Sequence, residues 1–299
     1  MTTRVLSRIG AWSIAGSRRA RHGALVALPM MTLSMTVLLS PAMSPVHAQS
    51  LVAPVLPAVT AGDASPTLVH DAGGPRLPSL HRADGWKLAG FGAAALLLST
   101  ADRRGDAWAR RPAVRDGHTL RQLSKVGDVT GTWISVGVGP ATWLLGRVRD
   151  DSGTAVLGLR TSEAVFTSAV TSQLVKMIAG RTRPYASADN SPSHWDLFGG
   201  RSDSTRSFTS QHAAMSAAAA VTLAAEWRRQ GLSGWKVVGP PIAYALATLT
   251  AGSRVRDRQH WLSDVVTGSA VGIASALVVR RWHDANPRNR LDRLLLPPR

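Results

Sequence analysis

The residues best suited to chemistry in this sequence lie in three short segments of its second half: 176–184, 209–212 and 253–264. Between them, these segments supply cationic side chains, a serine hydroxyl and two histidines. A histidine can attack phosphorus, and cations can hold the charged oxygens of a phosphoryl group during its transfer. The residue types therefore indicate phosphoryl transfer to a histidine, for which no metal ion is required.

The last segment contains a histidine and an aspartate four positions apart, His260 and Asp264. We predict that His260 lies near the start of a helix, so that Asp264 shares its face one turn later. The aspartate would then accept the proton-bearing ring nitrogen of His260 and leave the other nitrogen free to attack. Taken alone, the same spacing also suits an ordinary surface ion pair.

The first segment places Lys176 near the end of a long predicted helix that Gly180 should terminate. Pro184 restricts Arg183 to an extended conformation, which could direct its guanidinium back toward the helix end. Arg181 is either a second cation at this point or a solvated side chain. A helix end decorated with bases is a common alternative for the whole segment.

The remaining candidates are Arg254, Ser210 and His212. Arg254 precedes the His260 helix in a predicted polar loop, and its guanidinium matches phosphate oxygens in shape and charge. Ser210 stands before an alanine-rich helix, where a serine is most often an N-cap but where a phosphate would also meet free N–H groups. His212 would stand beside that phosphate and could protonate the leaving oxygen.

In this order and with these gaps, the three segments resemble the type 2 phosphatidic acid phosphatase (PAP2) superfamily, which includes class A acid phosphatases, lipid phosphate phosphatases and vanadium haloperoxidases. The family pattern is K-x6-R-P, then P-S-G-H, then S-R-x5-H-x3-D. The first and third motifs match at every defined position: Lys176, Arg183 and Pro184, then Ser253, Arg254, His260 and Asp264. The middle motif departs, with Thr209 in place of proline and Gln211 in place of glycine. The resemblance covers roughly residues 85–284.

The resemblance implies an all-α, PAP2-type bundle of about six helices and assigns three catalytic roles. His260 attacks phosphorus and forms a phosphohistidine, Asp264 orients and stabilises the charged ring, and His212 protonates the leaving group and later activates water. It also implies that the equatorial phosphate oxygens are held by Lys176, Arg183, Ser210, the Gln211 N–H and Arg254. No metal and no other cofactor is expected.

Gln211 replaces a glycine whose backbone N–H contacts phosphate in the family. Glutamine keeps the N–H that the family's glycine supplies, so the contact survives if the backbone conformation is allowed. If the position requires φ > 0, Gln211 would strain the loop by about 1–3 kcal/mol. We expect activity with an altered rate or substrate preference.

Composition restricts the remaining function classes. The chain has 299 residues, a formal net charge of +17 and no cysteine. Disulfides, thiolate metal sites and a catalytic cysteine are therefore excluded. The basic residues are spread between apolar segments and not gathered into a stripe with aromatics, so nucleic acid is not an expected partner. A phosphorylated small molecule or lipid is the expected substrate, and the sequence does not define an oligomeric state.

The N-terminal 48 residues are predicted to be a signal peptide. They carry five arginines and no acid, then an apolar stretch over 24–39, and Val46 and Ala48 stand at the −3 and −1 positions of a cleavage site. An uncleaved signal anchor is the alternative. Residues 49–84 are rich in proline and glycine and predict a linker, residues 85–285 form the predicted phosphatase domain, and residues 286–299 form a basic tail.

Apolar runs predict helices over residues 85–101, 132–145, 154–178, 211–227, 237–251 and 260–282. Tryptophan with arginine or lysine recurs at the end of the bundle opposite to the motifs, which is typical of a cytoplasmic membrane interface. We therefore expect export, and favour an inner-membrane protein with a periplasmic active site over a soluble periplasmic protein. Several helices are short or polar for a bilayer, which keeps the soluble alternative open.

Two other functions are compatible with the same residues. A vanadate-dependent haloperoxidase would hold vanadate, a mimic of the phosphoryl transition state, in the same cradle. A cationic envelope protein could retain the fold and lack turnover because of Thr209 and Gln211.

Overall fold

The structure is a computed structural model that describes residues 76, 82–231, 234–287 and 289–297. The predicted signal peptide and nearly all of the predicted linker lie outside these residues. The α-helices in chain order are α1 (Arg82–Ser99), α2 (Asp102–Ala109), α3 (Pro112–Arg115), α4 (His118–Val129), α5 (Ser135–Val148), α6 (Ser152–Ala179), α7 (Gln211–Arg229), α8 (Trp235–Arg256), α9 (Leu262–Ala285) and α10 (Arg290–Leu295). A π-helical turn, Thr130–Ile134, joins α4 to α5.

The all-α prediction is confirmed, and the described residues contain no strand beyond one isolated bridge between Arg181 and Trp195. The six predicted helices correspond to α1 and α5–α9. The predictions missed α2, α3, α4 and α10, because these short helices contain no long apolar run. In α2 the buried positions include two aspartates, Asp102 and Asp106.

The alanine-rich helix α7 is the centre of the bundle and packs against α6 and α9. Its small side chains join one apolar cluster with residues of both neighbours: Ala164, Val165, Met215, Ala218, Ala219 and Ala276. Glycines allow α9 to approach closely, since a Cβ at Gly272 would lie 2.1 Å from the carbonyl oxygen of Ala214. This close packing fixes the starts of α7 and α9 relative to each other.

Helix α6 is delimited by specific caps at both ends. Asp151 accepts hydrogen bonds from the N–H groups of Gly153 and Thr154 at 2.9 and 3.2 Å. Gly180 ends the helix in the left-handed conformation (φ 55°), and its N–H donates to the carbonyl of Lys176. The predicted termination at Gly180 is thus confirmed, and Lys176 lies in the last turn.

One helix in the described part of the chain, α9, has the length and hydropathy of a membrane-crossing segment, and 44% of its most apolar window is buried inside the bundle.

Candidate active site

The structure brings the three sequence segments together where α6 and α8 end and α7 and α9 begin. The Ser210 N–H donates to the carbonyl of Asp264 at 3.0 Å, which joins the second segment to the third. The N–H groups of Gln259 and His260 both donate to the carbonyl of Arg254, at 2.9 and 3.2 Å. This turn carries the chain from α8 to α9 and places the histidine in the interior.

The prediction that His260 lies on the helix is wrong. The residue precedes α9, which begins two positions later at Leu262. Its ring is 2% exposed, and Nδ1 lies 2.6 Å from the Ser207 carbonyl oxygen and 3.8 Å from Asp264 Oδ2. The first distance is a hydrogen bond and the second is too long for one. The carbonyl of Ser207 therefore accepts the Nδ1 proton, in place of the predicted aspartate. Nε2 makes no hydrogen bond to any residue that the structure describes.

Asp264 is fully buried and accepts three hydrogen bonds. Arg181 Nη1 donates to Oδ1 at 2.5 Å, while Ser207 Oγ and the Trp261 N–H donate to Oδ2 at 2.5 and 2.9 Å. Burial opposes its ionisation, but neighbouring His260 and the Arg181 charge hold the pKa of this carboxyl below its usual value. Asp264 is thus a fixed anion beside the histidine. Its charge can be buried because it is paired with Arg181 and hydrogen-bonded.

Arg181, left open by the sequence, is an internal residue and not a solvated one. It is 3% exposed, and it bridges Asp264 and Asp102, the latter with Nη2 at 2.7 Å from Oδ2. Its guanidinium carbon also lies 4.7 Å from the centre of the Trp195 ring. Asp102 is a site residue that sequence reasoning missed. Nothing in the sequence signals a pairing between residues 79 positions apart.

Lys176 is 4% exposed, and its ammonium donates to the carbonyl of Arg206 at 2.7 Å. Burial is the main cause that lowers its pKa from 10.5 to about 7, and the nearby charge of Arg183 adds to the effect. The lysine is therefore held in a position where its charge is unfavourable unless an anion is present.

Arg183 and Arg254 each have one acidic partner. Arg183 Nη2 pairs with Asp203 at 2.8 Å, and Arg254 Nη1 pairs with Asp128. In both arginines the Nε atom is buried and has no hydrogen-bond partner among the described residues. Buried donors normally find an acceptor. Burial is also the main cause that lowers the pKa of Arg183. The two arginines therefore have unused capacity for a bound anion.

His212 is half-buried in the first turn of α7, beside Gly131 of the π-helical turn. Burial is the main cause that lowers its pKa from 6.5 to about 4, and the charges of Arg254, Lys176 and Arg183 contribute to this shift. The ring makes no hydrogen bond to the part of the chain that the structure describes. All three motif cations thus act on this one imidazole.

Ser210 and Gln211 form the start of α7. Ser210 is fully buried and is the N-cap, with Oγ 3.5 Å from the Ala213 N–H. Gln211 is the first helical residue and is not among the residues with positive φ, so the anticipated strain is absent. Its side-chain amide makes a long contact of 3.5 Å with the carbonyl of Ala169 on α6. The departure from glycine therefore requires no left-handed backbone conformation at position 211.

A helical bundle with a buried histidine, an adjacent anion and a converging set of cations is typical of enzymes that transfer phosphoryl groups. A comparison with known families matches residues 157–288 to the PAP2 superfamily, which confirms the resemblance stated from the sequence motifs. No curated protein and no solved structure matches the chain. This match supports a phosphatase-type activity at the level of the superfamily. Asp102 and Asp128 lie outside the matched segment.

Proposed function

We propose that this protein hydrolyses phosphate monoesters through a phosphohistidine intermediate on His260, without a metal ion. The observation that carries the proposal is the set of unused groups at the site. The Nε donors of Arg183 and Arg254 are buried without partners, and Nε2 of His260 makes no hydrogen bond to any residue the structure describes. A phosphate dianion would accept from the arginines while its phosphorus faces the free nitrogen.

The proposed reaction has two steps. Nε2 of His260 forms a bond to phosphorus as the ester P–O bond breaks, and His212 gives its proton to the departing alkoxide. Water then attacks the phosphohistidine, gives a proton to His212 and releases orthophosphate together with free His260. The transfer is mainly a matter of positioning and charge stabilisation by Lys176, Arg183 and Arg254.

The low pKa of His212 is consistent with a role as general acid. Without ligand, burial and the surrounding cations keep the ring neutral, with a pKa of about 4. A bound phosphate dianion neutralises those cations and adds negative charge, which favours the protonated ring. Substrate binding would therefore convert His212 into the acid that the first step requires.

The test of this mechanism compares His260→Ala with His118→Ala, a control at an exposed position on α4. With p-nitrophenyl phosphate, His260→Ala should lose turnover and His118→Ala should keep it. Wild-type protein quenched at alkaline pH should carry phosphate on the peptide that contains His260. Near-wild-type turnover in a folded His260→Ala protein would refute the mechanism.

The same assay separates the alternatives. Vanadate should inhibit hydrolysis and EDTA should not; loss of activity in EDTA that a metal restores would contradict the metal-independent proposal. Halide oxidation in the presence of vanadate and peroxide would favour the haloperoxidase. Absence of both activities would favour the non-catalytic envelope protein. Parallel assays with a soluble monoester and a lipid phosphate in detergent would define the substrate class.

We also propose that the protein is exported and that the active site faces the periplasm. Single cysteines at Ser202, exposed in the loop before α7, and at Gly234, where a Cβ meets open space, test this in a chain without cysteine. Ser202→Cys should react with a membrane-impermeant maleimide once the outer barrier is opened. Gly234→Cys should be protected if the bundle is integral and should react if it is soluble. Protection of Ser202→Cys alone would place the active site in the cytoplasm.

A further inference from the structure

Helix α2 contributes a buried acid that the mechanism above does not use. Asp102 has 0% exposure, and both of its oxygens are engaged: Oδ1 accepts from the Ser263 N–H at 2.9 Å, and Oδ2 accepts from Ser263 Oγ and Arg181 Nη2, both at 2.7 Å. These contacts tie α2 to the first turn of α9, where Asp264 lies. A buried carboxylate with this many partners has a defined position and charge.

An unbroken series of hydrogen bonds runs from this acid to the histidine. Arg181 donates from Nη2 to Asp102 and from Nη1 to Asp264, the latter at 2.5 Å. Ser207 Oγ donates to the other oxygen of Asp264 at 2.5 Å, and the Ser207 carbonyl accepts from His260 Nδ1 at 2.6 Å. The Ser207 N–H in turn donates to the Arg181 carbonyl at 3.0 Å. Arg181 therefore holds both the side chain of Asp264 and the backbone of Ser207, and these two groups orient the His260 ring.

We propose that Asp102 is a positioning residue for the attack by His260, acting through Arg181 and Asp264. The proposal rests on the proposed function, since it assigns Asp102 to the same reaction. Asp102 fixes the guanidinium plane of Arg181, and that plane fixes Asp264 and Ser207. The ring of His260 is then held as the Nδ1–H tautomer, with Nε2 toward phosphorus.

The charge balance gives Asp102 a second effect on the reaction. Two buried carboxylates share one guanidinium, so Asp102, Arg181 and Asp264 together carry one net negative charge beside His260. That charge favours the cationic ring of the phosphohistidine. Without Asp102, Arg181 would neutralise Asp264 alone, and both the intermediate and the nearby ammonium of Lys176 would lose a stabilising anion.

The first experiment compares Asp102→Asn with Asp106→Asn. Asp106 is a matched control because it lies one turn later on α2, is 4% exposed and pairs with Arg258 and Arg110 in place of Arg181. At pH 6, Asp102→Asn should lower kcat by about tenfold or more with a KM within about threefold, because no phosphate-binding side chain is replaced and Lys176 is still largely charged at that pH. In Asp106→Asn, kcat/KM should stay close to the wild-type value.

The pH profile distinguishes positioning from simple destabilisation. The charged groups facing Lys176 are Arg183, Asp264, Asp203 and Arg206. Loss of the Asp102 charge weakens the anion that Asp264 presents to Lys176, so the alkaline limb of kcat/KM should move to lower pH in Asp102→Asn. It should not move in Asp106→Asn. If the alkaline limb of kcat/KM stays in place and both variants lose kcat equally, Asp102 has only a structural role and the proposal is wrong.

Histidine-selective ¹⁵N NMR provides a readout that does not depend on turnover. The His260 ring, assigned by its loss in His260→Ala, should show a single Nδ1–H tautomer in wild type and a mixture in Asp102→Asn. If Asp102→Asn does not fold, Arg181→Lys serves instead, since lysine keeps the charge but cannot bridge two carboxylates with a planar fork. An unchanged tautomer in these variants overturns the inference. A changed tautomer in a protein without phosphatase activity supports it and refutes the proposed function.

Discussion

The buried position of Lys176 predicts the alkaline side of the pH–rate profile. Burial, reinforced by the charge of Arg183, lowers the pKa of this ammonium from 10.5 to about 7. A neutral lysine cannot hold a phosphate dianion by charge. Since kcat/KM reports the ionisation of the free enzyme, it should fall as pH rises through about 7.

The magnitude follows from the single ionisation. With a pKa of about 7, about one lysine in eleven is charged at pH 8, so the ionisation of Lys176 alone should lower kcat/KM about tenfold between pH 6 and pH 8, and about a hundredfold between pH 6 and pH 9. His212, with a pKa of about 4 in the free protein, adds a separate pH dependence to wild type and variants alike. The substrate does not explain such a fall, because a phosphate monoester has a second pKa of about 6 and is dianionic above it. In kcat, the same limb should lie at higher pH, because bound phosphate stabilises the ammonium.

The assay is the pH dependence of kcat/KM from pH 5 to pH 9.5 for wild type, Lys176→Arg and Lys125→Arg, at roughly constant ionic strength. Arginine stays charged throughout this range. Lys176→Arg should therefore be slower, since its geometry differs, but should lack the part of the fall that the ionisation of Lys176 causes near pH 7. Lys125 is an exposed lysine on α4 and should leave the profile unchanged when replaced by arginine. A Lys176→Arg profile with the same shape as the wild-type profile, or a wild-type profile that is flat to pH 9, would refute the reasoning.

Two further predictions concern stability and the irregular motif. His283 is buried between Asp292 (Nδ1–Oδ2, 3.2 Å) and Glu163 (Nε2–Oε2, 2.5 Å), and although burial opposes its protonation, these partners raise its pKa to about 9. The contribution of the protonated His283 ring to the free energy of unfolding is therefore complete below about pH 6.5 and is lost as pH rises to about 9. The Tm difference between wild type and His283→Gln should shrink over that pH range, and a constant difference would contradict these ion pairs. Gln211→Gly should cost about 0.5–1 kcal/mol of stability, since no positive φ favours glycine there, and should raise kcat/KM for bulky substrates more than for small ones if the side chain narrows the pocket; equal changes for both would show a tolerated residue.

The sequence predicted the long helices well because each is a long apolar run between polar, glycine or proline residues. The end of α6 at Gly180 was equally predictable, since glycine alone adopts that backbone without strain. Helix α2 was not predictable in the same way. Its buried face uses aspartates that contact arginines far along the chain, and such polar burial carries no periodic signal.

The partner of His260 Nδ1 shows where spacing arguments stop. Four positions between His260 and Asp264 predicted a direct contact, but the helix begins only at Leu262, so the two residues do not share a helical face. The Ser207 carbonyl takes the position instead. The position of a backbone carbonyl depends on the path of its loop, and the residue types in the sequence do not predict that path. The same holds for Arg206, whose carbonyl accepts from Lys176.

The acids around this site fall into two groups with different exposure, and the difference bears on how a phosphate could enter. Asp203 and Asp128, which pair with Arg183 and Arg254, are 73% and 52% exposed at their side chains. Because these two carboxylates are exposed to water, a phosphate dianion with several donors can displace them at a smaller cost than it could displace a buried acid. Asp102 and Asp264 are fully buried and paired with a guanidinium that phosphate would not need to reach. Asp203 and Asp128 thus balance the charges of Arg183 and Arg254 until a phosphate binds. Asp102 and Asp264 remain in place and stabilise a charged His260 during transfer.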